Sequence, residues 1–250
     1  MRRITIFLCM SLLFCFKALA QPDTIATNKG DIIIHPIVHG TLAVQYDGKT
    51  IYVDPYGGAS GFESLPAADL ILITDIHGDH CDSSTLVAVN AGETQLIVPQ
   101  AVARKLNGHF GEPRILDNGK KTKWQGITIE AVPMYNLPES PDSRHTKGRG
   151  NGYILNLGDK RIYISGDTED IEEMRKLQKI DIAFVCMNLP YTMSVDQAAD
   201  AVNAFRPGIV YPYHYRGKDG LSDVDHFKEL LEEDYEASNV EVRLRNWYVK

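Results

Sequence analysis

Short alternating runs of hydrophobic and polar residues dominate the early part of the chain, and this pattern is typical of β-strands with one buried face. Residues 32–38 and 41–46 form two such runs, and a third at 49–53 follows the dipeptide Asp47-Gly48. Alternating runs on both sides of Asp-Gly are a strong short-range signal for a β-hairpin. This part of the chain is therefore predicted to be antiparallel sheet.

The rest of the chain mixes strand and helix patterns. A continuous apolar run at 68–74 is typical of a buried strand, and a second hairpin is predicted where 153–157 and 161–165 flank Gly158-Asp159. Further strands are predicted at 95–99, 114–116, 121–124 and 127–132, and helices at 82–90, 101–106, 171–178 and 195–205. Strands and helices segregated in this way predict an α+β fold in which helices cover the sheets.

The first twenty residues have the pattern of an export signal. Arg2 and Arg3 precede an apolar run at 4–16, and the small residues Ala18-Leu19-Ala20 follow it, so cleavage is expected before Gln21. The apolar run is short for a membrane span. We therefore expect residues 1–20 to be a signal peptide and the mature protein to be exported and soluble, in the periplasm if the source is a Gram-negative bacterium, and a retained membrane anchor is the alternative.

Length and composition bound the mature protein and its partners. A chain of 250 residues with 44% hydrophobic residues can build one sizeable core, and no linker-like stretch divides it. We expect a polar, flexible lead-in at 21–30 and one domain at 31–250. The net charge of -7 and the pI near 5.6 give no basic face for a nucleic acid, so a small molecule is the expected partner. The oligomeric state is left open.

The densest group of metal-ligand side chains follows the apolar run at 68–74. Four of the seven residues in Thr74-Asp75-Ile76-His77-Gly78-Asp79-His80 are aspartate or histidine. Carboxylates and imidazoles this close together repel or lose solvation unless a cation shares them. The stretch therefore predicts a metal site, and a solvated loop is the alternative interpretation.

This stretch resembles the His-x-His-x-Asp-His signature of the metallo-β-lactamase superfamily, with Asp75 where the first histidine usually stands. Later segments resemble the family in the same order, namely His145, Gly166-Asp167-Thr168 and the strand that ends at His214. Val53-Asp54-Pro55 and the segment 189–193 are similar to the L-ascorbate-6-phosphate lactonase-like and related Zn-dependent hydrolases of that superfamily. The resemblance covers nearly all of the mature chain, and it implies a four-layer αββα sandwich.

The resemblance also implies a set of metal ligands. One metal position would be lined by Asp75, His77 and His145, the second would use Asp79, His80 and His214, and Asp167 would bridge the two. Two Zn²⁺ ions per chain are expected, with Mn²⁺ or Fe²⁺ as alternatives. Because an aspartate is shorter than a histidine and adds negative charge, Asp75 favours a harder metal, and a one-metal site is the alternative.

An activity follows from these ligands. A bound metal lowers the pKa of water toward neutrality and polarises the oxygen of the group under attack. The resemblance implies an enzyme, a lactonase-like hydrolase that cleaves a small ester, lactone or phosphodiester with a metal-bound hydroxide. Asp79 would orient the hydroxide and Asp167 would hold the ions together, so both are candidate catalytic residues. The alternative is a non-catalytic protein of the same fold that binds a metal or ligand through a site weakened by Asp75.

Basic and aromatic residues near the ligands are candidates for substrate binding. Arg144, Lys147 and Arg149 are close in sequence to His145, and Arg216 follows His214. These cations are suited to an anionic group such as phosphate or carboxylate, and ordinary solvated surface charges are the alternative. Tyr191 is a candidate hydrogen-bond donor.

Two histidines and two cysteines are expected to be structural. His35 and His39 are isolated in a strand region, where histidine more often has a structural role than a ligand role. Cys81 and Cys186 are interpreted as buried free thiols, with a disulfide between them as the alternative.

Overall fold

A computed structural model describes residues 21–90, 92–233 and 239–248. The expected signal peptide at 1–20 lies outside the described residues. Within the described ranges the chain forms two seven-stranded sheets, a separate two-stranded hairpin and five α-helices. None of the helices in these ranges has the length and apolar character needed to cross a bilayer.

The first sheet contains strands β1 to β7 in chain order. Their bounds are Asp23–Thr27, Gly30–Val38, Thr41–Tyr46, Lys49–Val53, Leu70–Leu72, Gln95–Val98 and Arg114–Ile115. Pairing is antiparallel from β1 to β4 and parallel from β4 to β7. Helices α1 (Ser83–Val89) and α2 (Gln100–Leu106) follow β5 and β6, as expected because parallel neighbours need a crossover connection.

The second sheet contains β8 to β13 in chain order and a short edge strand, β16. Their bounds are Lys121–Trp124, Ile127–Met134, Gly150–Leu157, Lys160–Ile164, Ile182–Cys186, Ile209–Tyr213 and Glu241–Val242. The hairpin strands β14 (Arg216–Gly217) and β15 (Gly220–Leu221) pair with each other. Helices α3 (Glu172–Arg175), α4 (Val195–Phe205) and α5 (Val224–Glu233) belong to this half of the chain.

The alternation of side chains along β5 shows how the layers are built. Leu70 and Leu72 belong to the core between the two sheets, whereas Ile71 packs with α1 and α2 on the outer face of the first sheet. On the other side of the molecule, α4 packs onto the second sheet, and Phe205 contacts Tyr163 with ring centroids 5.9 Å apart. The order helix, sheet, sheet, helix confirms the expected αββα sandwich.

The two sheets are joined at one edge, where several strands end. The C-terminal ends of β2, β4 and β5 meet those of β9, β11, β12 and β13 there. Two backbone hydrogen bonds connect the sheets, from Asn151 N to Thr74 O at 2.9 Å and from His214 N to His39 O at 3.1 Å. The hydroxyl of Tyr153 adds a third link by donating to the carbonyl of Ile73 at 2.8 Å. The loops at this edge are therefore held close together by both sheets.

Most predicted elements are confirmed, and the corrections concern the two ends of the chain. Both predicted hairpins form: β3 pairs with β4 around Asp47-Gly48, and β10 pairs with β11 around Gly158-Asp159. The expectation of a flexible lead-in at 21–30 was wrong for β1, which pairs with β2 along its length. The physical reason is tertiary, because Ile25 is buried in the core and Asp23 is bound by residues of the C-terminal segment. Helix α3 is shorter than predicted, and α5 and β16 were not predicted.

Cys81 and Cys186, the two cysteines among the described residues, are free and buried, as predicted. Cys81 belongs to the cluster beneath α1 and α2, whereas Cys186 belongs to the core between the sheets. Burial raises the pKa of each thiol to about 11, so both stay protonated near neutral pH.

Replacing Asp23 with alanine is expected to loosen β1. Its Oδ2 accepts hydrogen bonds from the Tyr211 hydroxyl at 2.7 Å, from Arg243 at 3.1 Å and from Arg245 at 2.5 Å. Loss of these charged hydrogen bonds should lower the free energy of unfolding by about 1–3 kcal/mol. Urea denaturation at pH 7 measures the change, and alanine at the exposed Asp31 of β2 is the matched control.

The effect of the Asp23 substitution should depend on pH. Burial raises the pKa of Asp23, but the Tyr211 hydroxyl and the two arginines lower it more, so it lies below its ordinary value of 3.8. A carboxylate with a lowered pKa in the folded state stabilises above its unfolded pKa and loses this contribution as the pH falls through the folded value. The difference between wild type and Asp23→Ala should therefore be largest at neutral pH and shrink below about pH 4. An equal difference at pH 7 and pH 3 would contradict this assignment.

Candidate metal centre

All seven predicted ligands lie together at the edge where the sheets meet. The loop after β5 carries four of them, the loop between β9 and β10 carries one, and one follows each of β11 and β13. Together with His39, they form three groups in which one donor atom from each residue lies within 4.8 Å of the others. The groups are Asp75 with His77 and His145, His80 with Asp167 and His214, and Asp79 with His39 and His214. Loops at strand ends on a rigid scaffold can hold such a set in fixed positions.

The first group has donor atoms that lack hydrogen-bond partners. Nδ1 of His77 lies 2.6 Å from Oδ2 of Asp75, and Nε2 of His145 lies 3.2 Å from Oδ2 of Asp167. Both imidazole nitrogens are buried, yet neither makes a hydrogen bond of acceptable geometry to any described residue. A buried nitrogen without a partner is costly, whereas a shared cation would satisfy both. These residues therefore fit a metal ion.

The second group surrounds Asp167. Nε2 of His80 lies 3.2 Å from Nε2 of His214 and 3.2 Å from Oδ2 of Asp167, and Nε2 of His214 lies 3.3 Å from Oδ1 of Asp167. Asp79 completes this side, with its Oδ2 3.4 Å from Nε2 of His214. Because Oδ2 of Asp167 is equally close to His80 and to His145, its carboxylate can reach both groups, as a bridging ligand must.

Hydrogen bonds from behind orient three of the histidine rings. Nδ1 of His80 lies 2.8 Å from Oδ2 of the buried Asp54, and Asp54 also accepts from the Thr74 backbone N–H at 2.7 Å. The side-chain oxygen of Asn136 lies 3.1 Å from Nδ1 of His145, and the amide of Asn188 lies 3.2 Å from Nδ1 of His214. The oxygens of Asp54 and Asn136 can accept the Nδ1 proton and so leave Nε2 of His80 and of His145 free for a metal, whereas the amide nitrogen of Asn188 is a donor and contributes only to the orientation of the His214 ring.

The carboxylates of the centre are held ionised by their neighbours. Burial raises the pKa of Asp167, but the adjacent His214 and His80 lower it far below its ordinary value. The same balance applies to Asp79, where burial is outweighed by His214 and His39. Buried negative charge that cannot easily be protonated favours a bound cation.

His39 belongs to the site, contrary to the expectation that it is structural. It lies in the turn between β2 and β3 with φ 58°, and its Nε2 is 3.4 Å from Oδ2 of Asp79. Its Nδ1 lies 2.7 Å from the hydroxyl of Tyr248. The adjacent Gly40 permits the close packing, since a Cβ there would lie 3.0 Å from the ring of His214. His35, by contrast, pairs with Gln45 at 3.0 Å, in keeping with a structural role.

Asp75 is engaged by an arginine that the sequence interpretation assigned to the substrate. Its carboxylate is fully buried and accepts two hydrogen bonds from Arg149, from Nε to Oδ1 and from Nη2 to Oδ2, both at 3.0 Å. Lys147 is likewise engaged, with Glu139 at 2.9 Å and Glu173 at 3.2 Å. Neither cation is therefore free to gather around an anionic substrate.

The three remaining candidates for substrate binding, Arg144, Tyr191 and Arg216, flank the centre in two cation–aromatic pairs. The guanidinium of Arg144 lies 4.4 Å from the ring centroid of Tyr191, whose carbonyl accepts from Asn136 at 2.8 Å. That of Arg216 lies 4.4 Å from the ring of Tyr248. Because Asn136 contacts His145 and Tyr248 contacts His39, each pair is connected to one side of the ligand cluster.

Several residues of the site were missed by the sequence interpretation. Asp54 had a signal, because Val53-Asp54-Pro55 is one of the segments that carry the resemblance. No sequence signal distinguishes His39, Asn136 or Asn188 from ordinary polar residues, since the contacts that bring each of them to a ligand form only when the chain folds.

The sequence matches one family model over most of its length. The model describes a beta-lactamase superfamily domain and matches residues 24–214, a range that includes every predicted ligand. A UPF0173 metal-dependent hydrolase of Pyrococcus abyssi is 30% identical in a 204-residue alignment that covers 77% of this chain and 89% of that relative.

Two solved structures extend the comparison. A protein of Parabacteroides distasonis described as a metal-dependent hydrolase is 41% identical with a TM-score of 0.80, and the match covers 90% of this chain and 98% of that one. Igni18, a metallo hydrolase of Ignicoccus hospitalis, is 24% identical with a TM-score of 0.72, covering 85% and 94% of the two chains. At that lower identity the likeness shows the fold alone.

Replacing Asp54 with asparagine is expected to weaken metal binding without removing a ligand. Asparagine keeps the size of the side chain but loses the charge that orients His80. Such a change behind a ligand lowers metal affinity by roughly 10- to 100-fold. Titration of metal-free protein against a competing chelating dye measures the affinity. Asp69→Asn at the opposite end of β5 is the control, and equal affinity in both variants would contradict a role for Asp54.

Proposed function

Since the chain belongs to the metallo-β-lactamase superfamily and is a metal-dependent hydrolase, we propose that it holds two metal ions and cleaves a small ester, lactone or phosphodiester. The observation that carries the two-metal proposal is the position of Asp167, whose Oδ2 lies 3.2 Å from Nε2 of His80 in one group of donors and 3.2 Å from Nε2 of His145 in another. The mixture of nitrogen and carboxylate donors suits Zn²⁺ first, and Mn²⁺ or Fe²⁺ next.

The chemistry of the bound ions is general to two-metal hydrolases. When bound, they would supply hydroxide at neutral pH by lowering the pKa of coordinated water and would polarise the oxygen of the scissile group. The two candidate catalytic aspartates, Asp167 and Asp79, differ in their exposure to solvent, and this difference indicates different roles. The Asp167 side chain is 4% exposed and fixes the separation of the two donor groups, whereas Asp79 is 28% exposed and can accept a hydrogen bond from the attacking water.

The substrate is proposed to be a small molecule with an anionic group. The two arginines of the flanking pairs, Arg144 and Arg216, are exposed, and their guanidinium groups lie over tyrosine rings rather than in ion pairs with carboxylates. Stacking on an aromatic ring restricts a guanidinium while leaving its donors free for a carboxylate or phosphate. One such group on each side of the centre supports recognition of an anion next to the bond that is cleaved.

The non-catalytic alternative rests on Asp75 in place of a histidine. The other donors that the family resemblance implies lie close together in the groups described above, and Oδ2 of Asp75 lies 2.6 Å from Nδ1 of His77, which supports a site that still has its donors. The donor set is thus complete in number although one donor differs in kind, and this favours an enzyme over a binding protein.

Export is part of the proposal and rests on the signal-like residues 1–20. Expression of the full chain in a Gram-negative host should yield periplasmic protein whose intact mass begins at Gln21. Cytoplasmic protein that still carries residues 1–20 would contradict export.

Activity should depend on metal and on three ligands. Hydrolysis of a generic phosphodiester, an aryl ester and a lactone should be lost after chelation and restored by Zn²⁺, Mn²⁺ or Fe²⁺. His80→Ala, Asp167→Ala and His214→Ala should each lower kcat/KM by at least roughly 10³-fold, because several kcal/mol of transition-state stabilisation is lost. His226→Ala on the surface of α5 is the matched control. Turnover that survives chelation and all three substitutions would contradict the hydrolase mechanism, and ligand binding without turnover would favour the non-catalytic alternative.

A further inference from the structure

We propose that Arg149 is the positioning residue that enables Asp75 to act as a metal ligand in the place of a histidine. Through Asp75, Arg149 would control the occupancy of the position formed with His77 and His145. This inference rests on the two-metal function proposed above, and it assigns a role in metal binding to a residue that is not itself a ligand.

The geometry of the ion pair is that of a fixed carboxylate. Arg149 donates from Nε and Nη2 to the two oxygens of Asp75, each at 3.0 Å. A planar guanidinium bound to both oxygens sets the plane of the carboxylate, which a lysine cannot do. Since the Asp75 side chain is 0% exposed, no solvent is available to replace this partner. Without Arg149 the site would contain an uncompensated buried charge.

The same carboxylate remains available to a cation. Oδ2 of Asp75 lies 2.6 Å from Nδ1 of His77, but this nitrogen makes no hydrogen bond of acceptable geometry within the described part of the chain. The two atoms therefore lie at contact distance without the geometry of a mutual hydrogen bond, and together with His145 they form a group of donor atoms within 4.8 Å of one another that one cation can share. A carboxylate has about four acceptor sites, so two hydrogen bonds from Arg149 leave lone pairs on Oδ2 for a metal.

The charge of the pair matches that of the residue it replaces. An aspartate in the position of a neutral imidazole adds one negative charge to a centre that already contains Asp79 and Asp167. Arg149 adds one positive charge at hydrogen-bonding distance, so Asp75 and Arg149 together are formally neutral, as a histidine is. The charge presented to a pair of divalent ions is therefore unchanged, although the donor atom is oxygen instead of nitrogen.

The backbone brings Arg149 to Asp75 by a close approach of the two sheets. Asn151 N donates to the carbonyl of Thr74 at 2.9 Å, which places the start of β10 beside the loop that carries Asp75. A Cβ on Gly150 would lie 2.7 Å from that carbonyl and 2.6 Å from the methyl of Met134, so glycine is needed for the approach. One loop thus supplies both a ligand, His145, and the counter-ion of a second ligand.

The experiment compares metal content and affinity among arginine variants. Purified proteins are dialysed against metal-free buffer, metal per chain is measured by elemental mass spectrometry, and Zn²⁺ affinity is measured by competition with a chelating dye. Wild type should hold two ions, and so should the control Arg161→Gln, which loses an ion pair with Glu130 at the end of β11 away from the centre. Arg149→Gln should hold one, with the affinity of the weaker position lowered roughly 10- to 100-fold. Arg149→Lys should be intermediate, because it restores the charge without the bidentate geometry.

A second variant separates the role of Arg149 from general damage to the fold. The double variant Asp75→His with Arg149→Gln replaces the pair by a neutral imidazole, and it should fold and regain the second ion. Asp75→His alone should not, because the arginine then lies unpaired beside the imidazole. Circular dichroism and thermal unfolding of the metal-free proteins report whether each variant is folded.

The outcomes distinguish this inference from the proposed function. Two ions with wild-type affinity in Arg149→Gln, or tighter binding of the second ion, would overturn the role of Arg149 while leaving the two-metal centre intact. Fewer than two ions in wild type, with Arg149→Gln unchanged, would contradict both. Failure of the double variant to recover the second ion would also overturn the role of Arg149.

Discussion

The carboxylate of Asp167 is the group on which the arrangement of the site depends. It is 4% exposed, and its oxygens lie 3.2–3.3 Å from the Nε2 atoms of three histidines that come from three different loops. Burial of an ionised carboxylate among imidazoles is tolerable only if positive charge is present, whether as protons on the rings or as bound cations. The centre is therefore stable only when its charge is balanced, and metal binding and folding are expected to stabilise each other.

This arrangement requires the two sheets to meet at one edge. Each sheet contributes ligands that the other cannot supply, since the loop after β5 belongs to the first and His145, Asp167 and His214 follow strands of the second. Backbone hydrogen bonds at Thr74 and His39, and the Tyr153 hydroxyl, hold the two edges in register. The residues that carry these links include members of the buried core, such as Tyr153, so the scaffold that positions the ligands is continuous with the core between the sheets.

The sequence was sufficient for most strands and for both hairpins, because these have local signals, whereas the family resemblance supplied the seven candidate ligands that the structure brings together. Alternation, Asx-Gly turns and ligand types at strand ends are visible in a few residues. What was missed depends on long-range contacts. The segment that forms β1 was interpreted as a flexible lead-in because its Asp23 is bound by Arg243, which lies 220 positions away in the chain. His39 was interpreted as structural because Asp79 and Tyr248 come close to it only in the folded chain. Arg149 was interpreted as a substrate-binding residue because its contact with Asp75 depends on the close approach of the two sheets.

The most direct test of the account is anomalous X-ray diffraction from crystals of the mature protein, with data collected at the absorption edges of zinc, manganese and iron. Two peaks are predicted, one among Asp75, His77 and His145 and the other among Asp79, His80 and His214, with Asp167 in contact with both. A single peak, or peaks away from Asp167, would contradict a two-metal centre built around this carboxylate.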